Sequence, residues 1–344
     1  MRKSDRGLYL LILAMAFLVI FLATRNTGAP GSPIEGNATS QPLADQAINQ
    51  TAVNQSATNQ TTNTTIDPAT NQTNNSSSQP NISPLKVASF NIQVFGESKR
   101  SKPEVMDVLA RIARNFDVMA VQELRDDTET TLPIYLEKIN SLPGPRYASV
   151  SSPRLGRTSS KENYAFVYDT DTIRLVPGSN YTFADPPQGS AIDIFQREPF
   201  ISRFQTSDGS YDFVLIVIHT EPDGTPAELG NLTLALDDAS SRFPDETDFI
   251  MLGDMNADCS YLSKSEAQGL ALRNQSFIWI VPDEADTTTK STDCAYDRII
   301  LAGDASEEYL GGWGVYRFDQ GFSLNQSQTE DVSDHYPVWA SFEN

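Results

Sequence analysis

The sequence has few basic residues for its length, and few histidines and cysteines. Its 344 residues include 25 lysines and arginines against 45 aspartates and glutamates, which gives a formal net charge of −20. A surface this acidic argues against non-specific adhesion to nucleic acid through a basic patch. With two histidines and two cysteines in all, the chain is also poor in the nitrogen and sulfur ligands that a zinc site requires.

Large apolar side chains are nearly absent from residues 24–84. This segment consists mainly of Asn, Gln, Thr, Ser, Ala and Pro. It cannot bury enough apolar surface to offset the entropy lost on ordering, so we predict a disordered Asn/Thr-rich stalk. The remainder, residues 85–344, has the size of one α/β domain, and we predict that it is a single folded domain.

The N-terminus has the pattern of a targeting segment. Arg2, Lys3 and Arg6 precede an uncharged apolar run from Gly7 to Ala23. A run of about 17 residues is short for a membrane-spanning helix and long for the core of a signal peptide. Residues 1–23 are therefore expected to be an uncleaved anchor or a cleaved signal peptide. Either would place the rest of the chain outside the cell, secreted or held at the membrane surface.

Two further features fit export. The stalk contains repeated Asn-x-Ser/Thr sequons, for which both glycosylation and chance occurrence in an Asn- and Thr-rich stretch remain open. They begin at Asn37, Asn49, Asn54, Asn59, Asn63, Asn71, Asn74, Asn75 and Asn81. Cys259 and Cys294 are expected to form one disulfide in an oxidising compartment, the alternative being two buried free thiols.

Several short runs are apolar on both faces and are predicted to be strands buried between layers. They are Leu85–Ile92, Val118–Gln122, Phe213–Ile218, Phe249–Leu252 and Arg298–Leu301. Between them, a capping-box pattern at residues 101–104 predicts a helix that continues to Phe116, and helical patterns cover Thr130–Asn140 and Pro226–Phe243. This alternation of strands and helices, with several hairpin-like pairs, predicts an α/β sandwich with mixed sheets.

Polar side chains stand at the ends of these strands, where open α/β sheets form ligand sites. They are Asn91, Glu123, His219, Asp254, Asn256, Asp297, Asp334 and His335. The oxygen donors suit Mg²⁺, Mn²⁺ or Ca²⁺, and imidazole can transfer a proton near neutral pH. Phosphodiester hydrolysis needs this mixture of a metal, a base for water and an acid for the leaving oxygen. Any one of these residues alone is more often a structural or surface group.

Five motifs, in order along residues 85–344, resemble the endonuclease/exonuclease/phosphatase superfamily. They are Leu85–Ile92, Val121–Asp126, Gly253–Cys259, Ala295–Ile299 and Ser333–Val338. Leu155–Arg157 followed by Lys161 and Glu162, together with Arg197–Pro199, resembles the deoxyribonuclease I family in particular. The resemblance implies a four-layer sandwich of two packed mixed β-sheets flanked by helices.

The resemblance also implies roles for the polar set. The residues implied to hold a catalytic Mg²⁺ or Mn²⁺ and the scissile phosphate are Asn91, Glu123, Asp254, Asn256, Asp297 and Asp334. His219 would pair with Glu162, and His335 with Asp297 or Asp334, as the acid, base and phosphate-polarising groups. Which histidine is the acid, and whether one or two metals take part, stays open at this point.

DNA contacts and structural calcium are implied by the same resemblance. Arg125 and Arg197, with Arg157 as a weaker candidate, would contact DNA phosphates or the minor groove. One calcium site would use Asp286, Thr288 and Thr292, and a second Asp193, the Phe195 carbonyl and Glu198, with Asp185 beside them. Two positions depart from the family pattern: Lys290 stands where the family has a threonine, and Ser160 where it has a tyrosine.

The expected function is an extracellular, metal-dependent endonuclease that hydrolyses DNA to 5′-phosphate ends with low sequence specificity. One alternative is a phosphodiesterase of the same fold that acts on a lipid head group or an inositol phosphate. A second alternative is a surface DNA-binding module without turnover. A monomer is expected, and no protein partner is evident.

Overall fold

The computed structural model describes residues 83–187 and 189–344. The expected anchor or signal over 1–23, and the stalk up to residue 82, lie outside the described residues. Ser83 and Pro84 precede the first strand without regular structure. No helix within the described ranges is long and apolar enough to cross a membrane.

Strands and helices alternate along the described chain. The strands are β1 (Leu85–Phe95), β2 (Val118–Leu124), β3 (Tyr147–Ser151), β4 (Asn163–Asp169), β5 (Ile173–Leu175), β6 (Tyr181–Thr182), β7 (Phe200–Thr206), β8 (Asp212–Val217), β9 (Asp248–Asp254), β10 (Phe277–Trp279), β11 (Asp297–Gly303), β12 (Tyr309–Val315) and β13 (Val338–Phe342). The helices are α1 (Glu97–Arg100), α2 (Pro103–Ala113), α3 (Thr131–Asn140), α4 (Thr225–Arg242), α5 (Lys264–Gly269), α6 (Phe318–Gly321) and α7 (Gln326–Val332). Short 3₁₀ turns cover Pro222–Gly224 and Ala271–Arg273.

The strands form two mixed sheets. The first has the order β12-β13-β1-β2-β4-β3, and the second β10-β11-β9-β8-β7-β5 with β6 paired to β7. β1 and β2 are parallel in the first sheet, β8 and β9 are parallel in the second, and the remaining pairs are antiparallel. A parallel pair needs a crossover connection, and helices α2 and α4 lie in these two crossovers.

Three apolar layers hold the sandwich together. The central layer joins the inner faces of the two sheets, where the rings of Phe166 and Phe200 stack with centroids 5.6 Å apart. The outer face of the first sheet packs on helices α2 and α3, and that of the second sheet packs on α4. Two sheets between two helical layers make the four-layer sandwich, so the predicted fold class is confirmed.

All five predicted strands and the three predicted helices are present, with ends shifted by a few residues. The predicted capping box at residues 101–104 is wrong. Ser101 ends the short helix α1, and its hydroxyl donates to Ser98 O at 2.8 Å. Helix α2 begins at Pro103 after Lys102, with no side-chain cap. The sequence pattern did not reveal that a separate helical turn comes directly before α2.

Candidate active site

The polar side chains lie at one pole of the central apolar layer, because they continue the two-residue period of the strands. In β1, Leu85 and Val87 face the other sheet, and Asn91 has the same parity. Successive side chains of a strand point to opposite faces, so every second residue shares a face. The inward-facing core residues of β4, β8, β9 and β11 each stand an even number of residues from one further polar side chain, which therefore points to the same face. These side chains are Glu162, His219, Asp254 and Asp297.

Two imidazole–carboxylate pairs converge on one oxygen atom. His219 Nδ1 lies 2.8 Å from Glu162 Oε1, and His335 Nδ1 lies 2.8 Å from Asp297 Oδ2. The Nε2 atom of each ring is 3.5 Å from Asp254 Oδ2. Of the two partners considered for His335, Asp297 is therefore the one that is hydrogen-bonded. Asp334 Oδ1 is 3.9 Å from His335 Nε2.

These groups strongly perturb one another's protonation. Burial alone would lower the pKa of His335, but the negative charges of Asp297 and Asp254 outweigh burial and raise this pKa to about 10. Burial is likewise outweighed at His219, whose pKa is raised chiefly by Glu162. For Asp254, the two histidines overcome burial and hold the carboxyl pKa below its ordinary range. Perturbed carboxyl and imidazole groups at a polar pole between buried sheets are typical of a catalytic site.

Several oxygen atoms in the cleft fit a hard divalent cation. Asn91 Nδ2 donates to Asp254 Oδ2 at 2.9 Å and to Glu123 Oε1 at 3.2 Å. Among the described residues, Asn91 Oδ1 and Asp297 Oδ1 are buried oxygens without a hydrogen-bond partner. Asp254, Asp297 and His335 are also the one His/Cys/Asp/Glu group in the described ranges whose ligand atoms all lie within 4.8 Å of one another. Oxygen-rich donors of this kind suit Mg²⁺ or Mn²⁺.

Three of the six described non-glycine residues with a left-handed backbone lie around the cleft. Val94, Glu123 and Asn256 have φ angles of +49°, +63° and +46°, which non-glycine residues rarely adopt. The turn at Val94 points its N–H at Glu123 Oε2, 2.8 Å away. Gly253, directly before Asp254, has φ +148°, and a Cβ atom there would stand 1.8 Å from Ile218 O. Glycine thus lets β9 approach the end of β8, which brings Asp254 close to His219.

The three arginines proposed for DNA contact have different surroundings. Arg125 is partly exposed, and its Nη2 lies 3.2 Å from Glu123 Oε2 and 3.5 Å from Glu162 Oε2. Arg197 is 6% exposed, and its guanidinium donates to His219 O at 2.8 Å. Arg157 Nε donates to Phe195 O at 2.9 Å and lies 3.1 Å from Asp193 Oδ2. The burial of Arg197 leaves it little surface for DNA, whereas Arg125 faces the cleft.

The residues expected at the first calcium site lie together. The Thr288 hydroxyl donates to Asp286 Oδ1 at 2.9 Å and also contacts Thr292 O. Arg317 Nη1 lies 3.4 Å from Asp286 Oδ2. This loop is enclosed by a Cys259–Cys294 disulfide, so the alternative of two free thiols is wrong.

The second calcium group also comes together. Asp185 accepts hydrogen bonds from the backbone N–H groups of Ile194 and Phe195 at 2.9 and 2.6 Å. Burial, together with neighbouring carboxylates, raises the pKa of Asp185 and of Glu198. Glu198 Oε2 is a buried oxygen without a hydrogen-bond partner among the described residues. The donor set therefore fits a cation, although Arg157 Nε already lies 3.1 Å from Asp193 Oδ2.

Three supporting side chains were not predicted from the sequence. The Tyr164 hydroxyl accepts from His219 N at 2.9 Å, and the Ser333 hydroxyl donates to Asn91 O at 2.7 Å. Gln93 Nε2 donates to Asp334 Oδ2 at 2.7 Å. Ser333 could have been found, since it begins the Ser-Asp-His motif. Tyr164 and Gln93 resemble ordinary strand residues and give no such signal.

Comparison with known proteins agrees with this geometry. Residues 88–335 match the Endonuclease/Exonuclease/phosphatase family. Deoxyribonuclease gamma of Homo sapiens is 38% identical over 261 residues, which cover 74% of this chain and 84% of that protein. Deoxyribonuclease-1 of Gallus gallus is 36% identical over 258 residues, which cover 74% of this chain and 90% of that protein. The resemblance inferred from the motifs is thereby confirmed.

Solved structures share the fold at low sequence identity. The endonuclease/exonuclease/phosphatase from Bacteroides vulgatus aligns with a TM-score of 0.54 at 14% identity, covering 76% of this chain and 99% of that one. D. rerio TDP2 complexed with single strand DNA product aligns with a TM-score of 0.52 at 14% identity, covering 76% of this chain and 100% of that one. From its matched residues, its similar relatives and its four-layer fold, the chain belongs to the endonuclease/exonuclease/phosphatase family.

Proposed function

We propose that the protein is a metal-dependent endonuclease that hydrolyses DNA phosphodiester bonds. The observation that supports this most strongly is the convergence of both imidazoles on Asp254 Oδ2, beside buried oxygens of Asn91 and Asp297 that have no partner among the described residues. The similar relatives are named deoxyribonucleases, which favours DNA as the substrate within this family.

The side chains divide the chemistry between them. A divalent cation held by the oxygens of Asn91, Glu123 and Asp254 would neutralise charge on the phosphate. Glu162 and Asp297 orient the two imidazoles through Nδ1, so that each Nε2 faces the cleft. One imidazole, in its neutral form, takes a proton from the attacking water, whose oxygen bonds to phosphorus. The other gives its proton to the 3′-oxygen as the P–O3′ bond breaks, which leaves a 5′-phosphate and a 3′-hydroxyl.

DNA binding is proposed to rely on a few placed groups and not on overall charge. Arg125 is the best placed arginine, because it is partly exposed and lies beside both Glu123 and Glu162. Arg197 is assigned to holding the backbone of His219, and Arg157 to the loop at Phe195. Contacts to phosphates carry no sequence information directly, which supports cutting with low sequence specificity.

The setting of the reaction is proposed to be outside the cell. The Cys259–Cys294 disulfide fits an oxidising compartment. Calcium bound at the Asp286 loop and at the Asp185–Glu198 group would stabilise those loops and reduce the repulsion between an acidic protein and DNA. Residues 1–23 would then act as the export signal or anchor, and a monomer suffices for the site.

Plasmid nicking tests the proposal. Supercoiled plasmid incubated with the protein and Mg²⁺ plus Ca²⁺ should become nicked circles whose breaks DNA ligase can reseal, and chelator should abolish nicking. His219→Ala and His335→Ala should each lower the rate by roughly 10²–10⁴-fold. Lys138→Gln changes a half-buried ion pair with Asp107 between helices α3 and α2, and as the control it should nick at the wild-type rate.

The two alternative functions predict other results. A phosphodiesterase for lipid head groups or inositol phosphates would hydrolyse sphingomyelin or inositol phosphates faster than it nicks plasmid. A binding module would shift the plasmid on a gel without nicking it. Either result would contradict the proposed function.

A further inference from the structure

Lys290 is placed against one of the carboxylates expected to bind the catalytic metal. Its Nζ lies 3.0 Å from Asp334 Oδ2, and the same oxygen accepts a hydrogen bond from Gln93 Nε2 at 2.7 Å. Two donors from the chain therefore occupy this oxygen. The other oxygen, Asp334 Oδ1, faces the imidazole of His335 at 3.9 Å. A divalent cation at Asp334 Oδ2 would have to displace the ammonium group.

The backbone around Lys290 fixes this arrangement. Thr289 N donates to Asp334 O at 2.9 Å, and the Thr289 hydroxyl donates to Ser333 O at 2.9 Å. One residue away, Thr288 and His335 form an isolated β-bridge. The loop that contains Lys290 is thus hydrogen-bonded on both sides of Asp334. These backbone contacts hold the Lys290 side chain next to the Asp334 carboxylate.

Lys290 also faces the reaction cleft. It lines a cavity of about 230 Å³ together with Asn256, Tyr296, Asp334 and His335. Its side chain is 50% exposed, so the ammonium group can reach a phosphate oxygen bound beside His335. A fixed positive charge there can supply part of the electrostatic stabilisation that a metal ion gives to a phosphate.

We propose that the ammonium of Lys290 occupies the position at Asp334 that a second divalent cation would otherwise take. The cleft then uses one catalytic divalent cation, held by the oxygens of Asn91, Glu123 and Asp254, together with one resident ammonium. This inference rests on the proposed nuclease function and assigns the number of catalytic metals within it. Asp334 on this account anchors Lys290 and is not a metal ligand.

Metal counting without DNA is the first test. Mn²⁺ bound per protein molecule is measured by electron paramagnetic resonance for the wild type and for Lys290→Thr, Lys290→Arg and Lys138→Gln. We expect Lys290→Thr to bind one Mn²⁺ more than the wild type, and the other two variants to match the wild type. Adding Asp334→Asn to Lys290→Thr should remove the additional ion. Equal counts in the wild type and Lys290→Thr would overturn the proposal.

The Mg²⁺ dependence of plasmid nicking is the second test. Lys290→Thr should need roughly 10–100-fold more Mg²⁺ for half-maximal nicking, by analogy with the loss of groups that surround a metal site. Its rate should recover at high Mg²⁺, and Lys290→Arg should keep the wild-type Mg²⁺ requirement. A rate that falls equally at every Mg²⁺ concentration would mean that the lysine acts only on the substrate, which also overturns the proposal. Failure of the wild type itself to nick DNA would instead contradict the proposed function, and the Mn²⁺ count is independent of it.

Discussion

At the scale of single residues, each candidate catalytic group has a partner that sets its charge. The imidazole of His335 has its raised pKa because Asp297 and Asp254 face it from two sides. Asp297 has little exposure to solvent and is bonded to Nδ1 at 2.8 Å. The carboxylate thus controls both the orientation and the protonation of the ring, as acidic partners of catalytic histidines do.

We therefore expect Asp297→Asn to lower the pKa of His335, because one negative charge that favours the imidazolium is removed. Nicking should slow by roughly 10³–10⁴-fold, the order seen when an amide replaces the acid in a catalytic triad. A pH titration of the histidine ring protons by NMR checks the pKa, and plasmid nicking checks the rate. An unchanged His335 titration would contradict the assigned pairing.

A second prediction at this scale concerns Gly253. An added Cβ atom would collide with Ile218 O, a backbone atom that cannot move aside, so Gly253→Ala should destabilise the fold by about 2–4 kcal/mol and impair nicking. Gly230 in helix α4 has nothing within 4 Å of an added Cβ atom. Gly230→Ala should instead stabilise by about 0.5–1 kcal/mol. Urea unfolding of both variants measures the difference, and equal effects would contradict the packing argument.

Much of the site could be predicted at the residue scale because strand parity and motifs agree. Asn91, Asp254 and Asp297 stand at the ends of apolar strands, so their convergence follows from the two-residue period. Glu162 is different, since nothing in the residues around it indicates a catalytic partner, and only the family resemblance pointed to it. The contacts of Tyr164 and Gln93 depend on how distant strands meet, which local sequence does not encode.

At the scale of elements, helix ends show where a local pattern decides structure and where it does not. The pattern at residues 101–104 suggested a capping box, yet Ser101 belongs to the end of α1. Asn325 at the start of α7 forms a true capping box, accepting from Gln328 N at 3.0 Å. Helix α7 leads directly into the Ser333–His335 segment.

Asn325→Ala should therefore cost about 1 kcal/mol of stability, the usual effect of losing a helix cap. Ser101→Ala should change stability by less than about 0.5 kcal/mol, as for a surface position without a cap. Thermal and urea unfolding of the two variants provide the comparison. A larger loss for Ser101→Ala than for Asn325→Ala would contradict the assignment of the caps.

Arg298 connects two elements and offers another element-scale prediction. This buried arginine donates to Val281 O at 2.8 Å and to Ala257 O at 3.0 Å, just after Asn256. Arg298→Met should leave both carbonyls without this donor and Asp283 with Arg273 as its remaining cationic partner, at a cost of about 2–4 kcal/mol. Its rate of nicking, measured well below the unfolding temperature, should also fall. If Arg298→Met keeps the stability and the nicking rate of the wild type, Arg298 does not hold these two segments in place.

At the scale of the whole molecule, the two poles of the sandwich differ in how they balance negative charge. The active-site pole sets carboxylates against imidazoles and arginines. At the far end of β9, Asp248 has acidic neighbours. Burial, followed by the charges of Glu308 and Glu246, raises the pKa of Asp248 from 3.8 to about 7. Repulsion among these acidic groups therefore lowers the free energy of unfolding at this pole.

A pH-dependent stability follows. A carboxyl group whose pKa is higher in the folded than in the unfolded chain stabilises the fold fully when the pH is below its unfolded pKa. This stabilisation is lost as the pH rises through the folded pKa, which is about 7 for Asp248. Asp248→Asn should thus unfold roughly 2–4 °C above the wild type at pH 8. The advantage should shrink as the pH falls toward 4. Thermal unfolding at both pH values tests this, and a gain that is independent of pH would contradict it.

The overall architecture was predictable to a large extent because buried strands, crossover helices and ordered motifs all favour the same sandwich. Strand order within the two sheets was not predicted, because it depends on pairings between segments far apart in sequence. The role of Lys290 was also not predicted, since the sequence shows a departure from a family pattern but not the carboxylate that the new side chain meets.

The most direct test of the central claim uses the fact that the chain has two histidines. Both rings should lie beside one divalent cation, and NMR can follow the two sets of ring protons separately, with His335→Ala to assign them. Substoichiometric Mn²⁺ should broaden both sets in parallel, and excess Mg²⁺ should restore them. If either histidine stays sharp while the other broadens, the two rings do not share a metal cleft and the account is wrong.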